Sequence, residues 1–157
     1  MWQKIKVYGT AIAIPLAVGG LSALITKDSM DMFDKINQPF LSPPSWLFPV
    51  VWTVLYILMG VSIGMIYESN SGTKEDKKKA FVLYGLNLTV NFFWSIIFFN
   101  FQAFLIAFLW LILLIFIIAK MITAFNKIKP AAAYLQIPYI VWCCFASYLT
   151  ASIWLMN

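Results

Sequence analysis

Five long apolar runs divide the chain, and its polar residues gather between them. The runs cover approximately residues 5–26, 46–67, 80–101, 103–124 and 131–156. A helix needs roughly 20 apolar residues to cross a bilayer, so each run predicts one span. Together they predict an all-α integral membrane protein: a bundle of five transmembrane helices in a single domain over 1–157. The connection 27–45 is the longest, mixed in charge, and ends in Pro39, Pro43 and Pro44. The next, 68–79, is short, polar and lysine-rich. The third, 100–102, is almost nothing, and the fourth contains Asn126, Lys127, Lys129 and Pro130. The first run could instead be a signal peptide with Lys4 and Lys6 ahead of it. Its length, the internal Pro15 and the lack of a small-x-small exit favour a retained span.

Charge orients this bundle. A five-span topology puts Lys4, Lys6, Lys74, Lys77, Lys78, Lys79, Lys120, Lys127 and Lys129 on one side, and only Lys27 and Lys35 on the other. The positive-inside rule then predicts a cytoplasmic N-terminus and a C-terminus outside. Four or six spans would scatter the lysines. The absence of arginine argues against a mitochondrial-type presequence.

Composition narrows the chemistry. The chain is 62% hydrophobic and only 11% charged, against about 25% charged in soluble domains, so lipid must solvate most of its surface. The basic balance reads as membrane contact rather than nucleic acid, because the lysines flank apolar runs. All six acidic residues lie outside those runs. Ion and proton pathways usually carry charges within the membrane, so coupled transport is not expected. With no histidine, and with Cys143 and Cys144 pointing about 100° apart on a helix, no metal site and no cofactor are expected.

Polar and aromatic periodicity marks the inward faces. In the third span Asn87, Asn91 and Trp94 recur at steps of four and three, hence on one helix face. An unpaired amide in hydrocarbon is costly, which turns that face into the bundle. The second span stacks Trp52 over Tyr56. The fifth carries Pro138, Trp142 and Ala146 on one stripe. Trp2, Trp46 and Trp154 suit interfacial anchors, whereas Trp52, Trp94 and Trp142 lie deeper. Polar-tipped aromatics and two amides from three helices would suit a small-molecule pocket, and they would serve equally as plain core.

Three motifs carry a resemblance. Trp46-x₅-Trp52-x₃-Tyr56-x₂-Met59-Gly60 is followed by Asn87-x₃-Asn91-x₂-Trp94 with Phe98-Phe99. Then come Pro138-Tyr139-x₂-Trp142-x₂-Phe145-Ala146, Ile153-Trp154 and Asn157. In this order and spacing they resemble the translocator protein family, whose bacterial members are tryptophan-rich sensory proteins (TspO/MBR). The resemblance covers essentially the whole chain. It departs at Met32 and Leu41, where many relatives carry Trp in the first loop. Pro49 stands three residues before Trp52, where two is common. The C-terminus lacks the Tyr-then-basic pattern associated with cholesterol in animal members, so sterol recognition by that pattern is not expected.

The resemblance implies a homodimeric five-helix bundle in a bacterial plasma membrane. It implies a pocket toward the first loop that takes porphyrins such as protoporphyrin IX and benzodiazepine- or isoquinoline-type ligands. Trp52, Asn87, Asn91, Trp94, Trp142 and Ala146 hold the matching motif positions, with Tyr56 and Pro138 beside them. Several bacterial relatives are associated with light-dependent porphyrin breakdown, others with porphyrin traffic or stress sensing. A chain without histidine lacks the common axial haem ligand, which favours a metal-free porphyrin. Any chemistry would then fall to the excited porphyrin and oxygen, with Trp52 and Trp142 as electron or radical partners. Binding, transport or sensing without chemistry is the alternative, and a partner docking on Lys77–Lys79 is a third. Gly60-x₃-Gly64 is a close-packing motif that serves either a dimer or the bundle interior.

Overall fold

The computed structural model describes residues 1–157. It contains α1 (Trp2–Thr26), α2 (Leu47–Glu68), α3 (Lys74–Ser95), α4 (Phe104–Ile128), α5 (Pro130–Tyr134) and α6 (Ile137–Met156), with no strands. A 3₁₀ segment, Lys27–Met32, continues α1, and a π turn, Ile96–Asn100, continues α3. Five segments are long and apolar enough to cross a membrane, α5 and α6 together making the fifth. The helices close a ring: α1 against α2 and α3, α4 against α3 and α6, α5 against α2 and α4. Leu21 and Leu24 on α1, and Leu109, Leu113 and Phe116 on α4, face outward. This is the inverse of a water-soluble bundle, and it suits a lipid solvent.

Close packing of α1 on α2 depends on glycine. A Cβ on Gly60 would lie 2.4 Å from the Ile12 Cα and 2.7 Å from the Ala11 carbonyl oxygen. Pro15 has no N–H to offer that carbonyl four residues back, so α1 presents a freed carbonyl where Gly60 approaches. A Cβ on Gly64 would meet the Tyr8 ring at 2.8 Å. The Gly60-x₃-Gly64 motif is therefore spent inside the bundle.

Three boundaries differ from the sequence expectation. Helix α3 begins at Lys74 rather than near residue 80, because Thr73 and Asp76 form a capping box. The Thr73 side chain accepts from the Asp76 N–H at 3.1 Å, and the Asp76 carboxylate accepts from the Thr73 N–H at 3.0 Å. Lys77, Lys78 and Lys79 thus ride on a helix rather than in a loop. Helix α4 runs on through Asn126 and Lys127 to Ile128, leaving Lys129 alone before α5. The fifth span is broken at Leu135 and Gln136. Pro138 cannot donate to the Tyr134 carbonyl, and the chain turns before α6 starts.

The break is compensated from α2. The buried Ser62 hydroxyl donates to the Ala132 carbonyl at 2.7 Å. Ser62→Ala should lower the unfolding free energy by about 1–3 kcal/mol, since it strands a buried carbonyl. Thermal unfolding in detergent would read this.

Candidate functional site

The deep positions of the second and third spans meet at a cavity of about 250 Å³ between α1, α2 and the end of α3. Trp52 and Tyr56 wall it from α2, Trp94 and Phe99 from α3 and its π turn, and Met30 closes it from the first loop. The rings hold one another. Trp52 stacks on Tyr56 at 5.7 Å between centroids and tilts against Trp94 at 6.2 Å. Trp94 in turn stacks on Phe98 at 5.4 Å. Gly19 lets α1 reach this wall, because a Cβ there would lie 2.2 Å from a Tyr56 ring carbon. The exposed residues Gly20, Ala23, Pro49 and Thr53 also line the cavity, so it opens sideways between α1 and α2.

Two buried polar groups of the lining have no protein partner, the Ser22 hydroxyl and the Trp94 indole N–H. Buried polar groups are almost always hydrogen-bonded, so these two keep unmet hydrogen-bonding capacity beside the cavity. Behind the wall a chain of hydrogen bonds links five side chains. The Tyr56 hydroxyl donates to the Asn91 side-chain oxygen at 3.1 Å. The Asn91 amide donates to the Tyr139 hydroxyl at 2.8 Å, and that hydroxyl donates to the Asn87 oxygen at 2.6 Å. The Asn87 amide ends the chain on the Met59 sulfur at 3.7 Å. These five side chains tie α2, α3 and α6 together across the bundle. They fix the Tyr56 ring, and through it the stacked Trp52.

The sequence-derived site residues therefore separate into groups. Trp52, Tyr56 and Trp94 share the cavity, with Asn87 and Asn91 directly behind it. Trp142 packs on Phe48 at 5.9 Å and on Phe145 at 5.6 Å. With Pro138 it lines a separate groove of about 620 Å³ between α2 and α6. Ala146 lines a small void of about 20 Å³ beside Phe33 and Phe98. The ring facing Trp52 across the cavity wall is thus Trp94, not Trp142. Tyr139 is the residue that joins this network from α6. It is almost completely buried and stands 6.1 Å edge-on to Trp52. The signal lay in the stripe Tyr139, Cys143, Ala146, Thr150 and Ile153. Its steps of four and three are all buried, whereas Pro138 and Trp142 stand one position aside.

The first loop is anchored over this end of the bundle. The Asn37 N–H donates to the Asn157 side-chain oxygen at 3.1 Å, and the Asn157 amide donates back to the Asn37 carbonyl at 3.0 Å. Phe33 is buried below, edge-on to Phe48 at 5.1 Å. Asn100 in the π turn donates to the Ile25 carbonyl at 3.3 Å, joining α1 to the end of α3.

Known proteins match this chain along nearly its whole length. The TspO/MBR family model matches residues 11–155. The chain is 34% identical to the tryptophan-rich protein TspO of Chlorobaculum tepidum, over 100% of this chain and 99% of that protein. It is 32% identical to the tryptophan-rich protein TspO of Archaeoglobus fulgidus, over 98% and 97%. It is 28% identical to the translocator protein of Bos taurus, over 92% and 86%. A five-span helical membrane bundle matched along nearly its full length by both prokaryotic and animal relatives belongs to the TspO/MBR family.

Proposed function

We propose that this protein is a membrane receptor for flat apolar ligands of the porphyrin class, protoporphyrin IX above all. Benzodiazepine- and isoquinoline-type molecules would compete for the same cavity. The observation that carries this reading is the wall itself: Trp52 stacked on Tyr56 and tilted against Trp94, with two unpartnered buried polar groups beside them. Aromatic stacking adds about 0.5–1.5 kcal/mol per pair beyond area burial. The Trp94 N–H and Ser22 hydroxyl would take acceptors on the ligand edge. The cavity is small for a whole tetrapyrrole, so the macrocycle would enter edge-on through the opening between α1 and α2. The relative from Cereibacter sphaeroides is called a tryptophan-rich sensory protein, and a sensing role fits a receptor whose wall is tied to three helices.

The same reading places the protein in a bacterial plasma membrane as a homodimer, N-terminus cytoplasmic. The lysine asymmetry and the prokaryotic relatives support this. Gly60 and Gly64 are occupied inside the bundle, so a dimer would use another face.

Tryptophan quenching and the porphyrin visible spectrum test the reading. Trp94→Phe keeps a ring but removes the N–H, and should weaken protoporphyrin binding about 2- to 12-fold, the worth of one hydrogen bond. Unchanged affinity would move the ligand out of this cavity. Illumination separates turnover from binding: bleaching that needs both protein and light marks chemistry, and a stable spectrum marks a receptor or carrier. Trp142→Phe should leave binding in the cavity unchanged, because Trp142 faces the α2–α6 groove.

A further inference from the structure

A second recess lies at the lysine-rich end of the bundle, between the start of α3 and the end of α4. It encloses about 140 Å³ and is lined by Asp76, Lys79, Lys120, Thr123, Ala124 and Lys127. Three lysine side chains from two helices thus line it together with one carboxylate. That carboxylate is engaged in the helix cap, where one oxygen accepts both the N–H and the hydroxyl of Thr73. The recess has a net positive charge and is large enough for a phosphate group.

Its position on α4 says what carries the phosphate. Lys127, Thr123, Lys120, Phe116, Leu113 and Leu109 follow one another at steps of four and three, so they form a single helix face. The upper half of that face lines the recess. The lower half is apolar and exposed, with Phe116 at 59% and Leu109 at 58%. Lys120 joins the halves, its ammonium 5.3 Å from the centroid of the Phe116 ring. It stands eight residues before the end of α4, about 12 Å along the axis. A lysine beside an apolar, exposed helix face is stabilised by a counter-charge or by a route to the interface. We infer that this recess binds the phosphate of an anionic phospholipid from the adjoining leaflet, with an acyl chain lying along Phe116, Leu113 and Leu109. Basic pockets between membrane helices recognise headgroups by this chemistry.

The test uses the full chain in detergent, titrated with phosphatidylglycerol or phosphatidylcholine and read by native mass spectrometry. Wild type should hold phosphatidylglycerol more tightly than Lys79→Gln/Lys120→Gln/Lys127→Gln by about tenfold or more. The control Lys4→Gln/Lys74→Gln/Lys129→Gln loses the same charge and should bind as wild type does. Phosphatidylcholine should not distinguish the three. Lys120→Gln alone should give a measurable part of the loss, and Lys120→Arg should restore it. All of these lysines are exposed, and equal helicity by circular dichroism would confirm that the variants fold. Equal losses in both triple variants would reduce the effect to net charge and overturn the site. If inorganic phosphate binds with the same lysine dependence while phosphatidylglycerol does not, the recess takes a soluble anion and the lipid assignment fails.

Discussion

Gly60→Ala is expected to destabilise the bundle by about 1–3 kcal/mol and to weaken ligand binding with it. The added methyl would stand 2.4 Å from the Ile12 Cα and 2.7 Å from the Ala11 oxygen. Both are backbone atoms, so no rotamer change relieves the clash and α1 must move off α2. That displacement also shifts Gly19 away from the Tyr56 ring and deforms one side of the cavity. Gly85→Ala is the matched control: a Cβ there meets nothing within 4 Å, and helix propensity favours alanine by up to about 1 kcal/mol. Thermal unfolding in detergent should show the two variants moving in opposite directions. A Gly60→Ala protein as stable as wild type would mean that α1 is loosely seated.

Tyr139→Phe should have the second large effect. The hydroxyl both accepts from Asn91 and donates to Asn87, so its loss strands two buried amide groups at once. Each stranded group costs about 1–3 kcal/mol. Water cannot easily replace the hydroxyl in the middle of a bundle, although amides in membranes often find other partners. The expected loss is roughly 2–4 kcal/mol. Tyr56→Phe removes only the terminal bond to Asn91 and should cost less. Equal effects would mean that Tyr139 is not the centre of the network. Asn87→Leu combined with Tyr139→Phe should cost less than the sum of the two, because the partners leave together.

Much of this was legible because a bilayer imposes simple rules. Span length follows from membrane thickness, and amides in a span must face inward. Asn87, Asn91 and Trp94 could therefore be assigned to one buried face from spacing alone. The fifth span was harder. Only Gln136 interrupts its apolar run between Leu135 and Ile137, so a hydropathy profile sees one helix. The turn there resets the angular phase of α6, making Tyr139 rather than Trp142 the residue that crosses the bundle. A register error of one position rotates a side chain by about 100°, which is why Pro138 and Trp142 lie in a different groove from Trp52. The start of α3 was also written in the sequence, in Thr73 and Asp76, but the five consecutive charged residues Lys74–Lys78 masked it as loop. The separation of indole rings between two cavities depends on helix crossing geometry, which no local pattern encodes.

The amide clasp between Asn37 and Asn157 has a consequence for biogenesis. Its halves are 120 residues apart, and Tyr139 likewise arrives on the last span. Membrane insertion proceeds from the N-terminus, so α1 and α2 can dock through Gly60 while the rest is still being made. The roof over the cavity cannot fasten until α6 has crossed the bilayer. Any nascent or truncated form lacking α6 would expose the stacked indoles to lipid beneath an untethered loop. Closure of the loop over the cavity therefore doubles as a report that α6 has been inserted.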